Sequence, residues 1–324
     1  METGVLVDLI KLIVGIGVLV KGADTLITGA SGLARRIGVP EFVIGLTLVA
    51  FGTSLPELTV NVQASFQKAS EITLGNVIGS NIANILLILG IAGLIRPLTI
   101  HRTFVKKEIP LNFLSILVLF AMVSDRLLDG SSLSFVSRSE GLVLITTFVG
   151  YLYFLAAFLE RENVDKDGTE MGLIKGGILI AIGLVGLVLG SEWTVSGGVN
   201  LATALGVSQV IVGLFLIAVG TSLPELLTSA VAAYRGNPDI ALGNVAGSNI
   251  FNVSLVLGAS ALVNPIPVPD RVFRDLSVLF VATLLLLLSN YMGRRYSVSR
   301  MEAGILLTIY VVYAVYSWYR EIYP

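Results

Sequence analysis

The chain has 324 residues, 55% hydrophobic and 13% charged, with a mean hydropathy of +0.88. A soluble domain of this length carries about 25% charged residues, so the composition is that of a polytopic membrane protein. A formal net charge of -1, the absence of cysteine and a single histidine, His101, exclude nucleic-acid recruitment by a basic field, disulfides, thiolate or paired-histidine metal sites and cysteine nucleophiles, leaving chemistry based on oxygen atoms.

Crossing the hydrocarbon core takes about 20 apolar residues at 1.5 Å each. On that measure the sequence predicts an all-α membrane protein of about ten transmembrane helices. Gly4 to Lys21 has Glu2 and Asp8 where a secretion signal would be basic, and no small-residue cleavage site follows, so it is expected as a retained first span. Spans are then expected over Phe42 to Phe66, Ile72 to Ile95, Glu108 to Ser124 and Ser139 to Leu159. The only sustained charged run, Glu160 to Gly168, reads as a solvated linker. Five more spans are expected over Leu173 to Gly190, Ser208 to Tyr234, Ile240 to Val263, Asp275 to Tyr291 and Met301 to Tyr319. Tyr310, Tyr313, Tyr316, Trp318, Tyr319 and Tyr323 read as an interfacial aromatic anchor.

The two sets of five are copies. Gly22 to Pro97 aligns without gaps on Gly190 to Pro265 at one constant offset of 168 residues, and roughly 40% of the pairs are identical, far more than shared hydrophobicity gives. The domain organisation read from this is a first five-helix repeat over 1–160 with its motif region at 42–95, a linker over 161–171, and a second five-helix repeat over 172–324 with its motif region at 208–263. An odd number of spans per copy brings the second into the membrane from the opposite face, giving two inverted-topology repeats. Arg35, Arg36, Arg96, Arg102, Lys106, Lys107, Arg161, Lys166, Lys175, Arg235, Arg294, Arg295 and Arg300 fall on one side, against Lys68, Arg126, Arg138, Arg271, Arg274 and Arg320 on the other. By the positive-inside rule, the linker is expected to be cytoplasmic and the termini extracellular, in a multi-pass cell-membrane protein.

Polar residues occur where the membrane least tolerates them. The second span contains Gly52-Thr53-Ser54-Leu55-Pro56-Glu57, and the seventh contains Gly220-Thr221-Ser222-Leu223-Pro224-Glu225. Proline has no N–H and clashes with the preceding turn, so Pro56 and Pro224 are expected to free carbonyl oxygens near Gly52 and Thr53 and near Gly220 and Thr221. A carboxylate at the bilayer centre costs at least about 2.5 to 3.5 kcal/mol, so Glu57 and Glu225 require a cation, a proton or a basic partner, and no Lys or Arg lies near them in sequence at that depth. The following spans open with Gly75-Asn76-Val77-Ile78-Gly79-Ser80-Asn81-Ile82-Ala83-Asn84 and its copy Gly243-Asn244-Val245-Ala246-Gly247-Ser248-Asn249-Ile250-Phe251-Asn252. Ser80 and Asn84 share one helix face, as do Ser248 and Asn252, and Thr53, Glu57 and Asn61 form a similar stripe echoed by Thr221, Glu225 and Ser229. Brought together, the stripes would supply two carboxylates with hydroxyl, amide and carbonyl oxygens. That set suits Ca²⁺, which takes six to eight oxygens in flexible geometry, better than Mg²⁺, which dehydrates reluctantly.

On these residues the sequence resembles the cation/Ca²⁺ antiporter superfamily, in its prokaryotic sodium/calcium exchanger type. The two G-T-S-L-P-E and two G-N-V-x-G-S-N-I-x-N segments are similar to that family's alpha repeats. The resemblance implies Na⁺-driven Ca²⁺ movement by alternating access, about three Na⁺ per Ca²⁺, in a protein that functions as a monomer, with Na⁺ and Ca²⁺ as transported ions and no cofactor. It also implies ligand roles: Glu57 and Glu225 as bridging carboxylates; Thr53, Ser54, Thr221 and Ser222 through hydroxyl or carbonyl oxygens; Ala50 and Ala218 through backbone carbonyls; and Ser80, Asn84, Ser248 and Asn252 closing the ring. By the same resemblance the first and sixth spans, with Gly15 and Gly17 against Gly183 and Gly186, would slide as gates. Family members often carry Asp at one of the positions held here by Asn84 and Asn252, and K⁺-dependent relatives rely on that acid, so K⁺ co-transport is not expected. Proton-coupled members have their acid in a G-N-x-x-E context that is absent here, which favours Na⁺ over H⁺; a proton-coupled exchanger of Ca²⁺ or another divalent cation is the alternative. A channel would more naturally use symmetry about the membrane normal. An enzyme is not expected, because Ser54 and Ser222 have no His or Lys in their spans to activate them.

Overall fold

The structure is a computed structural model that describes residues 2–68, 71–99, 108–128, 130, 134–157, 171–205, 218–269, 272–292 and 297–322. His101, the charged run Glu160 to Gly168, and the start of the seventh span from Ser208 lie outside them, as do Lys106, Lys107, Arg161, Arg294, Arg295 and Tyr323.

The helices in chain order are α1 (Glu2–Ile37), α2 (Glu41–Thr53), α3 (Leu55–Phe66), α4 (Ile72–Ile95), α5 (Ile109–Met122) and α6 (Arg138–Ala157), followed by α7 (Leu173–Ala204), α8 (Ala218–Thr221), α9 (Leu223–Arg235), α10 (Pro238–Val263), α11 (Val272–Met292) and α12 (Arg300–Ile322). Burial sorts them into layers. The most apolar stretch of α10 is 94% buried and that of α4 is 72% buried, whereas those of α6 and α12 are 17% and 11% buried. The outer helices expose Leu142, Val143, Ile174, Val185, Val312 and Val315. An apolar outside around a partly polar inside is the arrangement that a lipid solvent selects.

The first helix of each half is much longer than apolar counting gives. α1 continues to Ile37 instead of ending near Lys21, and α7 continues to Ala204 instead of Gly190. At 1.5 Å per residue α1 is about 54 Å long, well over the hydrocarbon thickness. The polar residues that end the apolar count, Asp24, Thr25 and Thr28, lie on a helix whose other face buries Ala23, Leu26, Ile27, Ala30 and Ala34 completely. α1 and α7 lie against each other in opposite directions: Gly15 faces Gly190 and Thr194, Gly22 faces Gly183 and Leu187, and Gly29 faces Gly176 and Ile180. That antiparallel relation is the one an odd number of spans per repeat requires. Gly15, Gly22 and Gly29 recur every seven residues, as do Gly176, Gly183, Gly190 and Gly197, and together they let the two backbones meet. A Cβ on Gly183 would stand 2.6 Å from Leu26 N, whereas one on Gly17 meets nothing within 4 Å, so Gly17 is not part of the contact expected of it.

Two short ladders tie the halves. β1 (Leu98–Thr99) pairs antiparallel with β4 (Ser297–Val298), and β2 (Phe135–Val136) pairs with β3 (Ile266–Pro267). Each strand of one half pairs with a strand of the other. The same exchange appears among the helices: Gly141 of α6 packs on Gly258 of α10, while α4 places Gly93 against Ala303 of α12. A matched polar contact lies inside each half instead: Tyr151 donates to Glu108 within the first at 3.0 Å, and Tyr313 to Asp275 within the second at 3.2 Å. Tyr313 and Tyr310 therefore pack inward against the core and are not part of a purely interfacial anchor; the exposed Tyr316 and Tyr319 lie nearer the end, with Arg320 over the Tyr316 ring.

Some ties between the halves are not duplicated. Arg235, at the end of α9, pairs with Asp24 of α1 and donates to Thr28 at 2.6 Å, and Asn237 donates to Ser31 at 2.8 Å. The repeat mates of Asp24 and Arg235 are Glu192 and Gln67, which cannot form an ion pair.

Candidate functional site

Both proline-bearing segments break where expected. Ser54 leaves the helical region with φ -85° and ψ 5°, Ser222 does so with φ -90° and ψ 7°, and α2 and α3 meet at a bend of 44°. Pro56 and Pro224 sit in the first turn of α3 and α9, where the missing N–H costs least. The carbonyl of Gly220, four residues before Pro224, is taken up by the Ser191 hydroxyl of α7 at 2.9 Å. Broken backbone at this depth is thus satisfied by a neighbouring helix. Each break also places a carboxylate at the start of a helix, where the exposed N–H ends favour negative charge.

Those carboxylates are buried. Glu57 is 2% exposed and Glu225 is 1% exposed. Each carboxylate has a hydroxyl partner from the opposite half: Ser54 donates to Glu225 Oε1 at 2.9 Å, and Ser222 Oγ lies 3.4 Å from Glu57 Oε1 and 3.2 Å from Ser80 Oγ. Ser248 Oγ stands 3.5 Å from Glu225 Oε1. Thr53 Oγ1 lies 3.0 Å from Asn244 Oδ1 and 3.3 Å from the Ala50 carbonyl, and that carbonyl also accepts from Ser54 N at 3.0 Å. Asn244 in turn donates to Ser229 and to the Glu225 carbonyl. Asn84 and Asn252 are fully buried at the start of two widened helical turns, Ala83–Ile88 and Asn252–Val256, which interrupt α4 and α10 at equivalent positions. Such turns concentrate at functional sites.

Ala50, Thr53, Ser54, Glu57, Ser80 and Asn84 from the first half, and Ser222, Glu225, Ser248 and Asn252 from the second, are all buried around this junction. Thr221 is half-buried beside Ser222, and Ala218 opens α8. Sequence reasoning passed over Asn244, Asn81 and Asn249 as contributors, although all three stand in the duplicated Asn-rich segment that carried the signal.

The donor and acceptor balance is uneven. Glu57 Oε2, Glu225 Oε2, Asn84 Oδ1 and Asn252 Oδ1 are buried and receive no hydrogen bond, so four oxygens of the junction, two of them on carboxylates, have no protein donor. Buried acceptors in that state are costly unless something positive faces them. Among the described residues no group of three or more His, Cys, Asp or Glu side chains gathers. The junction is therefore two carboxylates diluted by neutral oxygens, a hard-cation environment of modest charge.

The chain matches the family model described as sodium/calcium exchanger protein over residues 8–157 and 175–319. Among relatives, it is 37% identical over 309 residues to the inner membrane protein YrbG of Escherichia coli, covering 92% of each chain. It is 33% identical to the sodium/calcium exchanger MaX1 of Methanosarcina acetivorans, covering 97% of this chain and 99% of the relative. A solved structure of the sodium-calcium exchanger NCX_Mj soaked with zero Na⁺ and Ca²⁺ superposes with a TM-score of 0.82 at 33% identity, over 97% of this chain and 99% of that one. Its ten-helix inverted-repeat fold is the one described above. The chain belongs to the sodium/calcium exchanger family of cation/Ca²⁺ antiporters.

Proposed function

We propose that the chain exchanges Na⁺ for Ca²⁺ by alternating access, about three Na⁺ for each Ca²⁺, through an ion site built from Glu57, Glu225, Thr53, Ser54, Thr221, Ser222, Ala50, Ala218, Ser80, Asn84, Ser248 and Asn252. The observation that carries this reading is the pair of buried carboxylates, each with one oxygen receiving a hydroxyl from the opposite half and the other receiving no donor. Charge bookkeeping supplies the coupling. Two ionised glutamates are neutralised by one Ca²⁺ or by two Na⁺. Holding both sets at once would leave excess positive charge in a low-dielectric site, so the ions compete, and competition is what links their movements. A third Na⁺ makes the cycle electrogenic, each net charge being worth about 2.3 kcal/mol per 100 mV. The α1 and α7 pair, joined by glycines, is suited to slide over the helices that carry the site. The chain functions as a monomer, with the linker cytoplasmic and the termini outside.

The test is ⁴⁵Ca²⁺ uptake into proteoliposomes with the Na⁺ gradient and the pH gradient imposed separately. Uptake driven by Na⁺ and abolished by Glu57→Gln and by Glu225→Gln is the expected outcome. Uptake retained in both variants sinks the site assignment, and uptake driven by a pH gradient in Na⁺-free buffer replaces Na⁺ coupling with H⁺ coupling.

A further inference from the structure

Asn81 and Asn249 are both buried, at 0% and 2% exposure. Asn81 Nδ2 donates to the backbone carbonyl of Asn249 at 3.3 Å. A backbone carbonyl only accepts, so this bond fixes which end of the Asn81 amide is nitrogen and turns its Oδ1 the other way. Asn252 Nδ2 meets that oxygen at 3.1 Å. Once Asn252 must offer its nitrogen to Asn81, its own Oδ1 faces away from Asn81, buried and without a protein donor. The amide-to-amide contact repeats about the pseudo-two-fold: Asn84 Nδ2 donates to Asn249 Oδ1 at 2.9 Å, and Asn84 Oδ1 is likewise buried and undonated. Asn84 and Asn252 lie one helical turn beyond Ser80 and Ser248, on the face that carries those serines toward the carboxylates.

We propose that Asn81 and Asn249 are positioning residues for ion binding. Each holds the amide nitrogen of an asparagine from the opposite half, Asn252 and Asn84 respectively, and thereby commits that asparagine's carbonyl oxygen to the transported cations. The inference rests on the Na⁺/Ca²⁺ reading of the site. Its physical basis is the difference between a carboxylate and an amide. A carboxylate presents oxygen whichever way it turns, whereas an amide turned by 180° points an N–H at a cation. A site with amides at both positions needs something to choose the orientation. The amide that accepts from Asn252 and the one that accepts from Asn84 do so from across the two-fold, so each half sets the ligand orientation of the other.

The test is a double-substitution cycle read by Ca²⁺ binding to the purified full-length protein, using Ca²⁺ alone as titrant, with Na⁺-driven uptake measured in parallel. Asn81→Ala raises the Ca²⁺ dissociation constant by about 10- to 100-fold, the usual cost of losing a partner that orients a metal ligand. In an Asn252→Asp background, where both ends of the side chain are oxygen, the same substitution costs less than about 3-fold. Equal losses in the two backgrounds overturn the proposal, because a packing defect acts the same way whichever residue stands at 252; so does the absence of any loss with Asn252 in place. The mirror cycle, Asn249→Ala against Asn84→Asp, gives the same reading from the other half if Asn81→Ala does not accumulate. A wild-type chain that binds Ca²⁺ without exchanging it for Na⁺ refutes the exchange reading alone, and one that binds no Ca²⁺ refutes both.

Discussion

Gly183→Ala adds one methyl group where α7 crosses α1. The new Cβ would stand 2.6 Å from Leu26 N and 2.7 Å from both Leu26 Cα and Cβ. Ordinary contacts of this kind begin at about 3.4 Å, so the backbones must part by most of an ångström. Two effects oppose each other. Alanine favours the helix over glycine by up to about 1 kcal/mol, and overpacking against rigid backbone costs about 1–3 kcal/mol. Overpacking wins, because the nearest atoms are main chain and cannot rotate aside, leaving a net loss of up to about 2 kcal/mol. Gly17→Ala is the control: it lies two residues from the seven-residue series, on the outward face, with nothing within 4 Å of its added Cβ, so only the helix-propensity gain applies. Thermal unfolding of the purified proteins in one detergent is expected to put the Gly183→Ala midpoint a few degrees below wild type and that of Gly17→Ala at or above it. Na⁺-driven uptake by Gly183→Ala should also be slower, since sliding helices must keep their backbones close throughout. If the two variants unfold at the same temperature and transport equally, the glycine series is not a packing seam and the reasoning fails.

Ser54→Ala removes a 2.9 Å hydrogen bond to Glu225, whereas Ser222→Ala removes a 3.4 Å contact to Glu57 from a hydroxyl that also lies near Ser80. The Ca²⁺ concentration for half-maximal uptake should therefore rise about 10-fold in Ser54→Ala and clearly less in Ser222→Ala; the opposite order would show that hydrogen-bond length does not rank the two serines. Ser191→Ala strips the Gly220 carbonyl of its hydroxyl donor and should lower stability by about 1–3 kcal/mol, measured as a fall in the unfolding midpoint. Arg235→Gln copies onto the second half the residue that the first half carries at Gln67. The Asp24 pair it breaks is partly exposed, so the stability change should stay below about 1 kcal/mol, and a larger fall would mean that the tie supports the fold itself.

Much of this architecture is legible in the residues because the membrane punishes departures so heavily. Glu57 and Glu225 stand out because a carboxylate is expensive at mid-span, and the breaks at Ser54 and Ser222 are announced by Pro56 and Pro224. The constant offset of 168 residues between the halves is itself the signature of the two-fold relation. Apolar counting fails for α1 and α7 because it sees mean hydropathy and not faces: Asp24, Thr25 and Thr28 end the apolar run, but the buried face continues through Ala30 and Ala34. Tyr310 and Tyr313 mislead in the same way, since a cluster of tyrosines near a chain end looks interfacial until Asp275 is placed opposite one of them. Asn81 and Asn249 carry a duplicated signal, but only the direction of their amide bonds separates them from ordinary helix packing, and a string of residues does not specify direction.

The polar contacts that cross the two-fold explain why the duplication has to be kept whole. Ser54 serves Glu225, Ser222 lies against Glu57, Asn249 holds Asn84 and Asn81 holds Asn252. The four short strands make the same exchange through their backbones. A single half would therefore bury a carboxylate and an amide without the groups that satisfy them, a deficit of several kcal/mol in a low-dielectric interior. Other contacts are not duplicated: Ser191 stands where the first half has Ala23, and the Asp24–Arg235 pair stands where the mates are Glu192 and Gln67. If the exchange cycle proposed above holds, an unpaired contact of this kind biases one of its two end states over the other, because it is made on one side of the two-fold without a mate.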